Sequence, residues 1–378
     1  MSKSPFQYRS ICSFTICLSL LACTNRPATE SLLNLVSLEK VKEIRLPLAH
    51  STSGISQSAN VFIHEEKEYL GYFHYQNNVI SVFDLQQETL VDTISFATEG
   101  PNEISLRVIY SKMINYDSIF LFDPLPQMLY LVDRKGNILN SFEMLLNNDH
   151  YLYLDGAHSM QINGLKLYVP IYPSPLRSAE STDFGCAVFD MQTQNYSTFF
   201  ELDEAYSDGF WGQHNYRRSF VEYNDIQDLF IFSYPISNKW KQFTPVESSV
   251  SQLSGPEVLS LRSPFSDYIS ADQSIFDYEI ENGRYGHILH DKWRDVYYQF
   301  VYLPTDLEDY FYDGLSDAVV VVFNSNLKQI GQLQLRNNPY AFGLSFFSQK
   351  GLCLLDKDYF QNENEDILKY DVYRIENL

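Results

Sequence analysis

The sequence has little positive charge and few cysteines, and each shortage excludes a class of protein. Its 378 residues include 27 Lys and Arg against 48 Asp and Glu, a net charge of −21. This balance argues against nucleic-acid binding and against electrostatic docking on anionic lipid. Cys12, Cys17 and Cys23 lie near the N-terminus, so the folded part lacks a disulfide framework. We expect Cys186 and Cys353 to be buried free thiols; a bridge between them is the alternative.

Motifs for catalysis and for metal binding are also missing. The sequence contains no Gly-x-Ser-x-Gly elbow, phosphate-binding loop or Cys-x-x-Cys pair. The acidic stretch Asn362–Asp366 lacks the Asp-x-Asp-x-Asp-Gly pattern of a calcium loop and is interpreted as a solvated hairpin tip. We therefore expect no cofactor and no metal, and we favour a protein without catalytic activity over an enzyme.

The N-terminus has the three parts of an export signal. Two basic residues precede a mostly apolar segment, Ile11–Ala22, which is shorter than the roughly 20 residues that a membrane-spanning helix needs. Leu-Leu-Ala stands immediately before Cys23, which is similar to the lipobox of bacterial lipoproteins. We expect residues 1–22 to be a cleaved signal peptide and Cys23 to carry a lipid that anchors the protein to a membrane. An ordinary signal peptide with a chance cysteine, or an uncleaved anchor, is the alternative.

The remaining sequence repeats a strand–turn–strand unit. An apolar run that ends in Asp or Asn precedes a polar turn and a second alternating run, most clearly at Asp84, Asp133, Asp190 and Asn324. The first two intervals are 49 and 57 residues, and the third, of 134, leaves room for another unit. A period near fifty residues with four strands per unit is typical of a β-propeller. Because Asp and Asn side chains hydrogen-bond to nearby backbone, we interpret these residues as turn formers rather than catalytic groups.

We predict an all-β fold, a β-propeller of six blades with four antiparallel strands each. Five units cover approximately 55–96, 106–144, 151–202, 216–261 and 285–335. The last unit begins near Tyr340 and has only three strands, so we expect Val41–Leu46 to supply the fourth and to close the ring. Residues 23–40 would then form the lipidated anchor and linker, and 41–378 the propeller domain. Seven blades and a pair of β-sandwich domains are the alternatives.

The lipobox, the six units and the segment Glu99-Gly100-Pro101-Asn102-Glu103 together resemble a known group. They are similar to the six-bladed β-propeller lipoproteins of Bacteroidetes, a family without a defined function. Gly-Pro followed by Asn-Glu, after the outer strand of a blade, resembles the Gly-Pro-Gly-Glu turn of that family. Asn102 replaces the usual Gly and still tolerates a left-handed backbone. The resemblance covers nearly all of the mature chain and implies no catalytic residues.

The resemblance also bears on location. In Bacteroidetes lipoproteins, an acidic run after the lipidated cysteine is associated with surface display, whereas Cys23 is followed by no acid before Glu30. We therefore expect a lipid-anchored protein of the bacterial cell envelope, in the outer membrane and facing the periplasm. Surface display is the alternative.

Long connections on a rigid scaffold often carry function, and four are predicted. They are the segments 203–215, 237–250, 262–280 and 303–316. In the first, Phe210 and Trp211 are candidates for stacking on a ligand, although capping of the core is the role that we favour for them. His214, Arg284 and His287 are the other candidate binding residues.

His287 and His290 form the sole close histidine pair in the sequence. We predict that they lie on a strand, where residues three apart face opposite sides and cannot share a metal. A mouth formed by His158, His214, His287 and Arg284 together would instead favour an enzyme.

We expect a monomeric binding or scaffold lipoprotein that presents one propeller face to a protein, peptide or glycan of the envelope. Nucleic acid is not an expected partner. The alternative function is a glycan lyase or hydrolase with its site at the central mouth.

Overall fold

A computed structural model describes most of the chain after residue 35. The described residues are 36–49, 56, 58–105, 108–144, 146, 150–173, 184–201, 204–208, 216, 218–245, 249–259, 272–308, 310 and 316–376. Cys23 lies outside them, so its lipidation stays a prediction.

Antiparallel strands within these residues form six sheets, which are the blades of a propeller. The first strand of the described residues is β1 (Ser37–Pro47). Blade 1 contains β2 (Ala59–His64), β3 (Lys67–His74), β4 (Val79–Asp84) and β5 (Thr89–Ser95), and blade 2 contains β6 (Tyr110–Asn115), β7 (Ser118–Asp123), β8 (Met128–Val132) and β9 (Ile138–Glu143). Blade 3 contains β10 (His150–Leu152), β11 (Gln161–Asn163), β12 (Lys166–Pro173), β13 (Phe184–Asp190) and β14 (Tyr196–Glu201).

The second half of the ring follows the same order. Blade 4 contains β15 (Phe220–Asn224), β16 (Leu229–Tyr234), β17 (Ser237–Thr244) and β18 (Ser249–Ser254), and blade 5 contains β19 (Arg284–Asp291), β20 (Val296–Tyr302), β21 (Ala318–Asn324) and β22 (Gln329–Leu335). Blade 6 contains β23 (Phe346–Ser348), β24 (Gly351–Leu355) and β25 (Ile367–Glu376). The helices are α1 (Asp272–Asn282) and α2 (Lys357–Asn362), with 3-10 turns at Glu204–Asp208 and Phe342–Leu344. The prediction of an all-β propeller with six blades is confirmed.

The N-terminal strand closes the ring, as predicted. Strand β1 pairs antiparallel with β25 from Ser37 to Pro47 and becomes the outer strand of blade 6, so it is longer than the predicted Val41–Leu46. Its Ile44 and Leu46 side chains are fully buried in a cluster that also contains residues of blades 1 and 6. The first and last parts of the chain are therefore held in one core, and the outer edge of β25 is covered.

The repeated acidic and amide residues form the blade turns, as predicted. The Oδ1 atoms of Asp84, Asp133 and Asp190 each accept backbone N–H groups two to four residues later, at 2.8–2.9 Å. Asn324 does the same at 3.0–3.1 Å. These bonds satisfy backbone donors that the tight turn leaves without a strand partner.

Several predicted connections are wrong. Most of the segment 237–250 consists of β17 and the start of β18, and Trp240 within it is completely buried. Part of 262–280 forms helix α1. The acidic stretch Asn362–Asp366 is largely exposed, as expected, but the connection from β24 to β25 also contains α2 rather than a simple hairpin tip.

Cys186 and Cys353 are free and buried, as predicted, and burial raises the pKa of both thiols. In the part of the chain that the structure describes, no helix has both the length and the apolar character needed to cross a membrane.

The innermost strands of neighbouring blades contact one another around the propeller axis. Strand β2 contacts β6 and β23, and β19 contacts β15 and β23. These inner strands all begin at the same face, which we call the mouth face. In blade 3 the inner strand is divided into β10 and β11, which both pair with β12. The intervening residues 153–160 therefore interrupt the inner strand of blade 3 and lie outside its pairing with β12.

Candidate functional site

A chain of hydrogen-bonded polar groups, some buried and some partly buried, crosses the inner strands of blades 2 to 5. Lys112 Nζ donates to the Met160 carbonyl oxygen at 2.5 Å and to Gln161 Oε1 at 3.3 Å. Gln161 Nε2 donates to Glu222 Oε2 at 3.2 Å, and the His290 backbone N–H donates to Glu222 Oε1 at 2.9 Å. We call Lys112, Gln161 and Glu222 the axial network.

Burial dominates the electrostatics of the axial network. It lowers the pKa of the Lys112 ammonium and raises the pKa of the Glu222 carboxyl, while the opposite charge of each group acts against the shift of the other. The sequence indicated no such pairing, because Lys112 and Glu222 are 110 positions apart. Their proximity results from the ring arrangement of the blades.

A carboxylate–imidazole pair lies between β10 and β11. Asp155 Oδ1 accepts the backbone N–H groups of Ala157 and His158 at 2.8 and 2.7 Å, and lies 2.9 Å from His158 Nδ1. Burial opposes ionisation of Asp155, but His158 and Arg218 outweigh it and hold the pKa of the carboxyl well below its usual range. An ionised Asp155 fixes the His158 tautomer with the proton on Nδ1. His158 Nε2, the other ring nitrogen, is buried without a hydrogen-bond partner in the described part of the chain.

His287 belongs to the same group of rings. Phe220 stacks on His158 with 4.6 Å between ring centroids and lies 6.2 Å from the His287 ring. His287 in turn stacks on Phe300 at 4.6 Å. Burial, helped by His158 and Arg284, lowers the pKa of His287 to about 3, so the imidazole is neutral at neutral pH. We call His158, Phe220 and His287 with Asp155 the histidine group.

A cleft of about 400 Å³ opens beside the histidine group, between blades 5 and 6. Helix α1, the start of β19 and the connections β20–β21 and β22–β23 form its walls. The lining residues that matter for its chemistry are Glu279, Arg284, Tyr302, Tyr310, Ser316 and Lys357.

An ion pair forms part of the cleft wall. Arg284 Nε lies 2.5 Å from Glu279 Oε1, and the guanidinium carbon lies 4.4 Å from the Tyr302 ring centroid. Burial acts against the charged guanidinium, but Glu279 and Tyr302 outweigh it and raise the pKa of Arg284. Arg284 therefore stays charged beside its carboxylate partner.

Gly283 makes this placement of Arg284 possible. Its N–H donates to the Glu279 carbonyl at 2.8 Å, and its φ of +63° ends helix α1 in a left-handed conformation. A Cβ at this position would lie 2.2 Å from the Tyr302 carbonyl oxygen. Glycine therefore allows α1 to stop against β20 and β19 to begin at Arg284.

One 3-10 turn, Phe342–Leu344, separates the cleft from the histidine group. Phe342 and Gly343 line the cleft, while a Cβ on Gly343 would lie only 3.4 Å from the Ala157 nitrogen. A backbone hydrogen bond at Phe342 also acts on the pKa of His287. The cleft and the histidine group are therefore two sides of one wall.

The structure places two of the five predicted binding residues. Arg284 lines the cleft and His287 lies behind its wall, whereas Phe210, Trp211 and His214 lie outside the described residues. His287 and His290 lie on a strand, as predicted. Within the described ranges, no three His, Cys, Asp or Glu side chains are grouped so that they could hold a metal ion.

No sequence signal marked Glu279, Asp155 or Lys357 as a candidate site residue. Glu279 stands five positions before Arg284 on a helix that the sequence analysis interpreted as a loop, so the ion pair gave no recognisable signal. Lys357 is the first residue of α2, after β24, and the packing of blade 6 beside blade 5 places it at the cleft.

Comparison with known proteins identifies the family. The sequence profile described as a domain of unknown function, DUF4221, matches residues 46–332. The chain belongs to the DUF4221 family. The match spans most of the propeller and includes Arg284 and His287, whereas Lys357 lies beyond it. The predicted resemblance to a Bacteroidetes propeller family of undefined function is thereby confirmed.

Solved structures agree with the fold. A DUF4221 family member from Bacteroides vulgatus is 19% identical with a TM-score of 0.80, over 91% of this chain and 99% of that one. A protein from Bacteroides fragilis is 12% identical with a TM-score of 0.53, over 90% of this chain and 95% of that one. At these identities the likeness shows the fold alone. A search of curated proteins found no match.

Proposed function

We propose that this propeller is a lipid-anchored envelope protein that binds a small ligand in the cleft between blades 5 and 6. The observation that carries the proposal is the cleft itself, with about 400 Å³ of space beside Arg284, Tyr302 and Tyr310. Ligand sites are commonly clefts of about 300–1,000 Å³ with aromatic walls and a few placed polar groups.

Binding without catalysis is supported by the chemistry of the lining. Of the described residues that line the cleft, none is His, Cys or Asp. Its carboxylate, Glu279, is already paired with Arg284, which suits the orientation of a ligand better than proton transfer.

Blocking the cleft should abolish ligand binding. We expect Ser316→Trp, which places an indole in the cleft, to weaken binding at least about tenfold, because a filled pocket loses most contacts. Thermal-shift screening of envelope saccharides and peptides followed by calorimetry measures the effect. Ser141→Trp, on the exposed outer strand of blade 2, is the matched control. Equal binding by Ser316→Trp and wild type would exclude this cleft.

The anchor has its own test. We expect mass spectrometry of membrane-extracted protein to find an N-terminal residue Cys23 that carries acyl chains. Several acyl chains give firm anchoring, since each buried CH₂ contributes about 0.8 kcal/mol. Cys23→Ser should abolish lipidation, whereas Cys17→Ser should leave it unchanged. Detection of Met1, or of an unmodified Cys23, in the membrane-extracted protein would contradict the proposal.

A second candidate function is an envelope enzyme that acts on a glycan. The observation that favours it is the Asp155–His158 pair, because the oriented imidazole presents an unpartnered Nε2 and His287 lies in the same ring group. This pair is separated from the cleft by the Phe342–Leu344 turn. Product analysis of the binding mixtures decides between the two: turnover that His158→Gln abolishes, with binding retained, would favour the enzyme.

A further inference from the structure

We propose that the ligand of the cleft is an acidic saccharide of one or two rings, whose carboxylate is held by Lys357. This inference rests on the proposed function, because it names the ligand class of the same cleft. Three features of the cleft support it: the charges of its lining residues, the polar side chains that can hydrogen-bond to ligand hydroxyls, and the elements that form its walls.

The charges of the lining favour an anion. Glu279 and Arg284 neutralise each other at 2.5 Å, and Lys357 is the remaining charged side chain among the described lining residues. The Lys357 backbone N–H donates to the Pro339 carbonyl at 2.9 Å, but its ammonium has no ion pair or hydrogen bond in the part of the chain that the structure describes. The charges of the described lining residues therefore sum to one excess positive charge, in a chain whose net charge is −21.

The acids next to Lys357 in sequence do not cancel this charge. Asp356 caps helix α2 by accepting the Tyr359 N–H, and it pairs with Lys369 at 2.9 Å. Asp358 accepts a hydrogen bond from the Asn362 side chain at 2.6 Å. Because both carboxylates already have hydrogen-bond or ion-pair partners, the ammonium of Lys357 can pair with a carboxylate that enters the cleft.

The other lining groups suit a hydroxylated ligand. The Ser316 hydroxyl makes no hydrogen bond among the described residues, and Asn338 Nδ2 makes only a long bond of 3.4 Å to the Tyr340 carbonyl. Tyr310 is partly exposed in the wall and adds an aromatic surface with an apolar body and a polar tip. Such groups match the alternating hydroxyls and C–H faces of a sugar ring.

The walls are less suited to a peptide. Peptides commonly bind by adding a strand to a free sheet edge or by placing a helix in an apolar groove. This cleft is formed by α1, by α2, by the ends of β19 and β20 and by connections between strands, rather than by the length of a strand edge or by an apolar groove. An acidic peptide is therefore an outcome of the test rather than the expected ligand.

The test compares disaccharides that contain glucuronate or galacturonate with their neutral counterparts, by calorimetry on the mature chain with Cys23→Ser. We expect wild type to bind the acidic form at least about tenfold more tightly, and Lys357→Gln to lose this preference while it still binds the neutral sugar. Lys357→Arg should retain the preference. Lys328→Gln is the matched control, because it removes the same charge from an exposed turn of blade 5. Added salt should weaken acidic binding most.

The outcomes separate the inference from the proposed function. An undiminished preference in Lys357→Gln overturns the inference. A second outcome is that neutral saccharides or acidic peptides bind, that acidic saccharides do not, and that Ser316→Trp abolishes the binding. This result overturns the inference and leaves the cleft as a binding site. If Ser316→Trp weakens the binding of no ligand, both the inference and the proposed function are overturned.

Discussion

Replacing Lys112 by methionine is expected to lower the free energy of unfolding by about 1–3 kcal/mol, the usual cost of leaving a shielded polar group without its hydrogen-bond partner. Lys112 supplies the cation of the axial network, and its loss removes the positive charge that favours the ionised form of Glu222. It also removes the Lys112 donor from the Gln161 amide oxygen and from the Met160 carbonyl, which keeps the Ser159 hydroxyl as a donor. Because the network joins the inner strands of blades 2, 3 and 4, unfolding should remain cooperative but shift to lower denaturant.

Denaturant unfolding with a double-mutant cycle measures this effect. Lys112→Met with Glu222→Gln should cost less than the sum of the single changes, because the pair then contains no isolated charge. Lys67→Met, in an exposed position on β3, is the control and should change stability by less than about 0.5 kcal/mol. A loss of the same size for both lysines would show that the axial network does not stabilise the fold.

The contribution of Glu222 to the free energy of unfolding should decrease as pH rises. Burial raises the pKa of Glu222 in the folded state, so the folded protein binds its proton more tightly than the unfolded chain. Stability from this group is complete below the ordinary glutamate pKa of about 4.3 and is lost as pH rises through the raised folded-state pKa. Without Lys112 the pKa of Glu222 in the folded state is raised further. The Lys112→Met variant should therefore lose stability more steeply than wild type between about pH 5 and pH 8.

A chain that begins after Pro47 is expected to fail as a stable monomer. Without β1, the edge of β25 is exposed and the cluster that contains Ile44 and Leu46 is opened. Truncating one such buried aliphatic side chain commonly costs about 2–5 kcal/mol. This deletion removes Ile44 and Leu46 and, with them, all ten residues of β1 that pair with β25. Unpaired strand edges promote association, so we expect oligomers or aggregates.

Light scattering and circular dichroism compare this chain with one that begins at Leu32 and keeps β1. A synthetic peptide covering Ser37–Leu48 should restore a monomeric complex when added in trans. The same peptide with Ile44→Asp and Leu46→Asp should not, because burial of two carboxylates opposes docking. Cooperative monomeric unfolding of the truncated chain without peptide would show that ring closure by β1 is dispensable.

The blade pattern could be predicted because its causes are local. Strand alternation and the backbone hydrogen bonds of Asp84 and Asp133 act within a few residues, so both leave a signal in sequence. The segment 237–250 was misread because its strand is polar on one side. Lys239 pairs with Glu204, and Lys241 Nζ lies 5.7 Å from the Tyr234 ring centroid, so this strand lacks the apolar run by which the other strands were predicted.

The fold class, the six blades, the closing strand, the buried thiols and the family could all be predicted from the sequence. Blades, turns and thiols depend on periodicity, turn chemistry and apolar runs within short stretches of the chain, and the closing strand followed from a last unit that is one strand short. The shared network of Lys112 and Glu222, and the shared cleft of Arg284, Glu279 and Lys357, became visible only in the folded ring. Those contacts join residues from different blades and helices, and their distances depend on how the ring closes.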